Sequence, residues 1–251
     1  MYTWTMRESN KTADSPREAF LDTAEELFTE FGYENASIER LISRLGVSKG
    51  AFYHYFRSKS DLLDAMIDRI LARFETNFVE ILESRGPAVE KLQKILNSFF
   101  TGSSAHRKLA TQLGDLLLNE ANAVLINRHR QAARVRFVPL LNEIIIQGLN
   151  EGEFHVETPR RVAHIIWDIG QSWDEAVYRA LFEAGEAPTQ RDELLLLNKS
   201  YTLAIERVLG APEGSLYIDA KLLEPWIETA SRHKVQDNPD LSNAQQASAL
   251  N

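Results

Sequence analysis

Cysteine is absent from the 251 residues. That excludes a disulfide framework, a thiolate metal cluster and a cysteine nucleophile. Long apolar runs are missing too: 25% of the chain is charged, and no stretch approaches the roughly 20 apolar residues that cross a bilayer. Met1-Tyr2-Thr3-Trp4-Thr5-Met6 has no basic start leading into an apolar segment, so no secretory signal is expected. Gly-x-Ser-x-Gly, P-loop and Gly-x-Gly-x-x-Gly patterns are all lacking, so neither an enzyme nor a cofactor is expected. His106, His129, His155 and His164 do not pair at helical ligand spacing, and no metal site is expected. Positive charge is not in excess either. Against 28 basic residues stand 36 acidic ones, a net charge of −8, which argues against a protein that coats nucleic acid over its whole surface. The bulk reading is a soluble cytoplasmic protein with no membrane partner.

What is present is helical periodicity almost throughout. Ser15-Pro16-Arg17-Glu18 predicts a capped helix start with proline in the first turn. Phe20, Ala24, Leu27, Phe28 and Phe31 then recur three and four apart as far as Gly32, a helical stop. Two short helices follow, from Ser37 to Arg44 and from Ser48 to about Tyr55. Ser58-Lys59-Ser60-Asp61 is a capping box opening a long helix to the Arg85-Gly86-Pro87 break. Beyond it the spacing predicts helices at about 88–101, 104–118, 121–151, 159–184 and 190–209, with Gly152, Gly185 and Gly210 as stops, and a last one over 216–230. No alternating strand pattern, hairpin dipeptide or internal repeat is found, so the fold class is all-α. Residues 1–14 are expected to form a flexible extension, and the polar 236–251 a disordered tail.

The informative segment is 36–60, ASIERLISRLGVSKGAFYHYFRSKS. Ile38, Leu41 and Ile42 make an apolar face, Leu45 and Val47 fill the corner, and Phe52 and Phe56 lie four apart. Gly46 permits a tight turn between the two short helices. This is the layout of a helix-turn-helix over about 37–56, whose second helix enters the DNA major groove. With the apolar positions assigned to the core, Ser48, Lys49, Gly50, Ala51, Tyr53 and His54 remain outward. Small Gly50 and Ala51 allow close approach, and an alanine methyl can meet a thymine methyl. Lys49 can reach a guanine edge or a phosphate. Ser37 and Ser48 begin helices where free N–H groups attract phosphate, and Tyr53, His54 and Lys59 suit phosphate oxygens. Arg40, Arg44 and Arg57 either touch the DNA backbone, with Arg44 counted among the contacts, or pair within the chain. Charge agrees: this window holds five basic residues and one acidic, net +4, against −5 for residues 1–35 and −7 for 61–251.

The run Leu45-Gly46-Val47-Ser48-Lys49-Gly50-Ala51-Phe52-Tyr53-His54-Tyr55-Phe56, followed by Ser58-Lys59-Ser60-Asp61-Leu62-Leu63, resembles the DNA-binding signature of the TetR family of bacterial transcriptional regulators. Phe31-Gly32-Tyr33 and Ala36-Ser37-Ile38 also fit, so the resemblance is specific over residues 16–63. It implies a homodimer of nine or so helices per chain. Each chain would carry a three-helix DNA-binding domain (15–63) and a helical effector-binding and dimerisation domain (64–235). It also implies DNA contacts from Ser37, Ser48, Lys49, Gly50, Ala51, Tyr53, His54 and Lys59. Glu39 departs from relatives that carry a base-contacting basic residue there. A phosphate contact is not expected of it, though a carboxylate can accept from a cytosine amino group.

In the second domain Phe74, Phe78, Phe99, Trp167 and Trp173, with His106 and Gln112 as polar partners, are candidates to line an effector cavity. Aromatics at helical spacing serve equally as core, and that alternative stays open. Wide apolar faces on the 159–184 and 190–209 helices suit a four-helix dimer interface. The function read from the sequence is a sequence-specific transcriptional regulator. It would be a repressor that leaves a near-palindromic double-stranded DNA operator, and hence the nucleoid, when a small-molecule effector binds. The alternatives are a DNA-binding protein without such an effector, partner- or nucleoid-linked, and a helical interaction module.

Overall fold

Proline at the first position of a helix gives up only an N–H that has no intrahelical partner, and here it opens α1, Pro16–Asn35. The computed structural model describes residues 15–101, 107, 122–182 and 187–237. Ser15 takes the extended conformation of a cap, but its side chain makes no capping bond. Its carbonyl instead accepts from the N–H groups of Glu18 and Ala19. Gly32 breaks the helical course with φ 76° and ψ 157°, a conformation that only glycine enters cheaply. The stop read at Gly32 is therefore a kink, after which one more turn carries Tyr33 into the core.

The short helices are α2, Ile38–Leu45, and α3, Lys49–Tyr55. The long α4 is Lys59–Glu83. Half of the expected capping box forms, Ser58 Oγ accepting from Asp61 N–H at 3.1 Å, while Asp61 Oδ2 accepts from Arg57 N–H, one residue before the cap, at 2.9 Å. Then follow α5, Ala88–Ser98, α6, Ala123–Glu151, α7, Pro159–Phe182, α8, Ala187–Leu209, and α9, Ala220–Asp237. No strand occurs among the described residues, and the class is all-α. All of the helix expected at 104–118 except residue 107, and the stop at Gly185, lie outside the described residues. The last helix starts later than 216 for a visible reason. Leu216 N–H donates to the Glu206 carboxylate at 2.7 Å and Tyr217 N–H to Gln93 Oε1 at 2.9 Å, so both are committed outside a helix.

The chain forms two compact units, and the division falls within α4 and α6. In the first, spanning up to Asn77 and again up to Phe137, Phe20 packs edge-on against Phe52 and Phe56 at centroid distances of 5.8 and 6.0 Å. Leu21, Leu63 and Met66 are fully enclosed beside them. Arg69 of α4 binds three carboxylates of α1: Glu18 at 3.2 Å, Asp22 at 2.6 Å and Glu25 at 2.7 Å. Those carboxylates compensate a guanidinium that is only 14% exposed and would otherwise cost several kcal/mol to bury, although its Nε makes no hydrogen bond. Buried Asn122 accepts from Tyr33 N–H at 2.5 Å. Arg128 of α6 reaches Ser60 Oγ at 2.7 Å and Asp64 at 2.8 Å.

In the second unit α7 packs along α8, and α9 lies across both. Trp173 is buried, donates from its indole to Asn198 Oδ1 at 2.8 Å and stacks on Tyr201. Pro87 caps α5 without a side-chain bond. Glu151 and Glu153 supply the acceptors instead, taking the N–H groups of Ala88 at 2.8 Å and Val89 at 2.9 Å. Carboxylates suit that end of a helix dipole.

Candidate nucleic-acid interface

The corner between α2 and α3 is built by local rules. Ser37 and Ser48 sit at the two N-caps, their hydroxyls accepting from Arg40 N–H at 3.1 Å and Ala51 N–H at 3.2 Å. Gly46 closes α2 in the left-handed region at φ 67°. That lets the N–H groups of Gly46 and Val47 turn back to the carbonyls of Ser43 and Ile42. Leu41, Phe52 and Phe56 are buried as expected, whereas Ile38, Ile42 and Leu45 are half-buried. Val47 differs from its assignment to the core. It is 38% exposed, because the turn that Gly46 sets carries it to the rim of the corner.

The outward set is exposed as a group: Ser48, Lys49, Gly50, Tyr53 and His54 all face solvent, with Ala51 half-buried. Tyr55 is half-buried against the Phe20 ring at 5.9 Å, so of the two tyrosines it is Tyr53 that points outward. Gly50 is informative. A Cβ placed there would meet only Ser48 Oγ, at 3.7 Å, an ordinary contact, and its backbone is helical. Nothing within the fold requires glycine at that position, and glycine inside a helix costs about 0.5–1 kcal/mol relative to alanine. The space it leaves is on the outer surface.

The cations divide into held and presented. Arg44 pairs with Glu30 at 2.8 Å, and Arg40 lies 4.5 Å over the Phe31 ring. Lys59 sits 4.3 Å over the Tyr33 ring and donates to the Glu34 carbonyl at 3.2 Å. Burial lowers its pKa from the usual lysine value, with the Glu34 carboxylate opposing. Lys49 stands out on α3, 3.2 Å from Glu39 Oε1 on α2. Sequence reasoning singled out Glu39 and Lys49 separately and missed that they pair. The two are ten residues apart, which corresponds to no helical spacing, and only the turn brings them together.

The effector candidates are more scattered. Phe74 is half-buried in the first unit. In the second unit Phe78 and Trp173 are buried, Trp167 is half-buried and Phe99 is 37% exposed. Trp173 lies 6.2 Å from Phe100, the neighbour of Phe99 in the chain. His106 and Gln112 lie outside the described residues.

A helix-turn-helix with capped helices and a presented donor set describes many DNA-binding proteins. The particular one is decided by residues 20–66, which match the model of bacterial regulatory proteins of the tetR family. Residues 20–66 are thus similar to the DNA-binding domain of TetR-family regulators. That model describes the helix-turn-helix part of transcriptional regulators, and the match is confined to it. Among relatives, the fatty acid metabolism regulator protein of Bacillus subtilis (strain 168) is 25% identical over 133 residues, covering 53% of this chain and 68% of that protein. The HTH-type transcriptional repressor NemR of Escherichia coli (strain K12) is 34% identical over 93 residues, covering 35% of this chain. The match spans about half of NemR, 47%. The crystal structure of the regulator FadR from Bacillus subtilis, in complex with stearoyl-CoA, superposes with a TM-score of 0.54 at 19% identity, covering 76% of this chain and 97% of that one. At that identity the likeness is one of fold alone, and it covers most of the chain.

Proposed function

We propose that this protein is a TetR-family regulator, a dimeric repressor whose α3 helices read a near-palindromic operator. A small-molecule effector taken up by the second unit would release it. The observation that carries the DNA reading is the outward set on α3: serine, lysine, glycine, alanine, tyrosine and histidine. Its glycine is not required by the fold. Ser37, Ser48, Tyr53, His54, Arg44 and Lys59 serve the phosphates, which fix register. Lys49, Gly50 and Ala51 meet the base edges. Arg44 and Lys59 are held at their posts by Glu30 and by Tyr33 with Glu34, so less side-chain entropy is lost when they bind.

Dimerisation is supported by apolar side chains left exposed on α7 and α8, Ile165 at 48% and Leu196 at 68%. A two-fold dimer places two recognition helices about 34 Å apart, in successive major grooves. The effector reading is supported by the relative that holds stearoyl-CoA and by the aromatic residues of the second unit, Phe78, Phe99, Trp167 and Trp173, with Phe74 earlier on α4. An effector acts only if it binds the free and DNA-bound states differently. Coupling of about 1–3 kcal/mol changes operator affinity by roughly 5- to 150-fold. The test is anisotropy titration of a selected operator with the full-length protein, with and without a panel of acyl-CoAs and hydrophobic drugs. Release by one compound that also raises the melting temperature supports the reading. Operator binding indifferent to every compound that raises it contradicts the effector part.

A further inference from the structure

Glu39 is the one acidic residue between positions 36 and 60, and it stands beside Lys49 on the outward surface proposed above to meet DNA. Its side chain is 67% exposed and that of its partner Lys49 is 59% exposed. Neither is needed to fill the core. The carboxyl is held below its ordinary range first by its own backbone N–H, then by Lys49, so it is ionised. An ionised carboxylate repels phosphate, and it draws Lys49 with it away from the DNA backbone. What suits both groups is a base edge, where acceptors and donors lie side by side. A lysine can donate to guanine O6 and N7, and a glutamate can accept from cytosine N4. The two atoms stand 3.2 Å apart across the α2–α3 corner. Guanine O6 and cytosine N4 within one pair are separated by a similar hydrogen-bond distance, about 2.9–3.0 Å.

We propose that Glu39 and Lys49 read one C·G base pair together, Glu39 accepting from the cytosine amino group while Lys49 donates to the guanine edge. This rests on the DNA reading above and names a specificity determinant within it. The exposed ion pair is weak enough to open and share its atoms with the bases. In the free protein it holds the lysine beside Glu39. Glu39 also explains how a recognition surface of net +4 avoids gripping phosphate indiscriminately at its centre.

The test is selection of bound duplexes from a randomised library, in parallel, with full-length wild type, Glu39→Ala, Glu39→Gln and Lys49→Ala. All three changes are on exposed side chains and leave folding intact, which melting curves check. Wild type is expected to select C·G at one position of each half-site. Glu39→Ala and Lys49→Ala each reduce that preference at the same position, by at least about fivefold. Glu39→Gln moves it toward A·T, because a carboxamide pairs with adenine N6 and N7. A simple structural ion pair would give no such switch. Unchanged preference in Glu39→Ala, or loss at a position other than the one Lys49 controls, overturns the proposal. A wild type that selects no motif overturns the DNA reading itself.

Discussion

At the scale of single residues, the account turns on which side chains are free to meet DNA and which are employed by the fold. Lys49 and Lys59 make the contrast. Lys49 is presented on α3, so Lys49→Ala should cost about 1–3 kcal/mol of operator affinity and relax selectivity at one position. Lys59 is anchored over Tyr33; if it addresses the DNA backbone as proposed, Lys59→Ala should weaken every sequence alike and reduce the salt slope by about one. Competition titrations at several salt concentrations distinguish the two, and equal effects on all sequences from both changes would contradict the assignment. Gly50 makes a sharper case. Because a Cβ fits there without conflict, Gly50→Ala should stabilise the folded protein by about 0.4–1 kcal/mol. The same change should weaken operator binding by about 1–3 kcal/mol, the scale of one lost base contact. Gain in melting temperature with loss of affinity is the expected pair of results. Unchanged affinity would mean that the helix does not sit close to the bases.

At the scale of elements, the helices follow from periodicity and capping, and so they were legible in the sequence. Ser58 caps Asp61 N–H as read, though Asp61 reaches back to Arg57 and not to Ser58, and Gly46 takes the left-handed turn. What periodicity does not carry is contact between distant segments. The three carboxylates around Arg69, the Glu39–Lys49 pair and the carboxylates that cap α5 all join residues of different helices. Val47 was misread for a related reason: its apolarity points inward, but the turn geometry sets its direction. Burial on α6 gives a testable pH dependence. His129 has its pKa pushed down to about 4, mainly by desolvation and secondarily by Arg130. Between pH 6.5, the ordinary value, and about 4 the unfolded chain takes up a proton that the folded chain refuses. Stability from this group is therefore full above pH 6.5 and declines as the pH falls through that window, by about 1–2 kcal/mol. Urea melts of wild type and His129→Gln at pH 7 and pH 5 should diverge, the variant losing less. Parallel losses would contradict the assignment.

At the scale of the whole molecule, net charge and local charge point in opposite directions, and the local distribution decides. A chain of net −8 is repelled by DNA over much of its surface, and the basic window at 36–60 orients the encounter while the rest limits non-specific binding. The TetR-like domain was legible because its chemistry lies in one contiguous run. The effector site was not, since its candidates are spread over several helices and the same aromatics also build the core, as buried Trp173 with its bond to Asn198 shows. Dimerisation belongs to this scale too. If the exposed apolar side chains of α7 and α8 form the two-fold interface, Leu196→Arg should yield a monomer on a sizing column and lose cooperative binding to a two-half-site operator. A dimer of unchanged affinity would place the interface elsewhere.

The central claim is that α3 reads a two-fold DNA sequence. Its most direct test is selection of bound fragments from the source genome by the full-length protein, at a stated near-physiological salt concentration. The account predicts enrichment of a near-palindromic site with half-sites about one helical turn apart, around 34 Å, and loss of that enrichment with Lys49→Ala. Uniform binding of all fragments, or none retained at all, would contradict it.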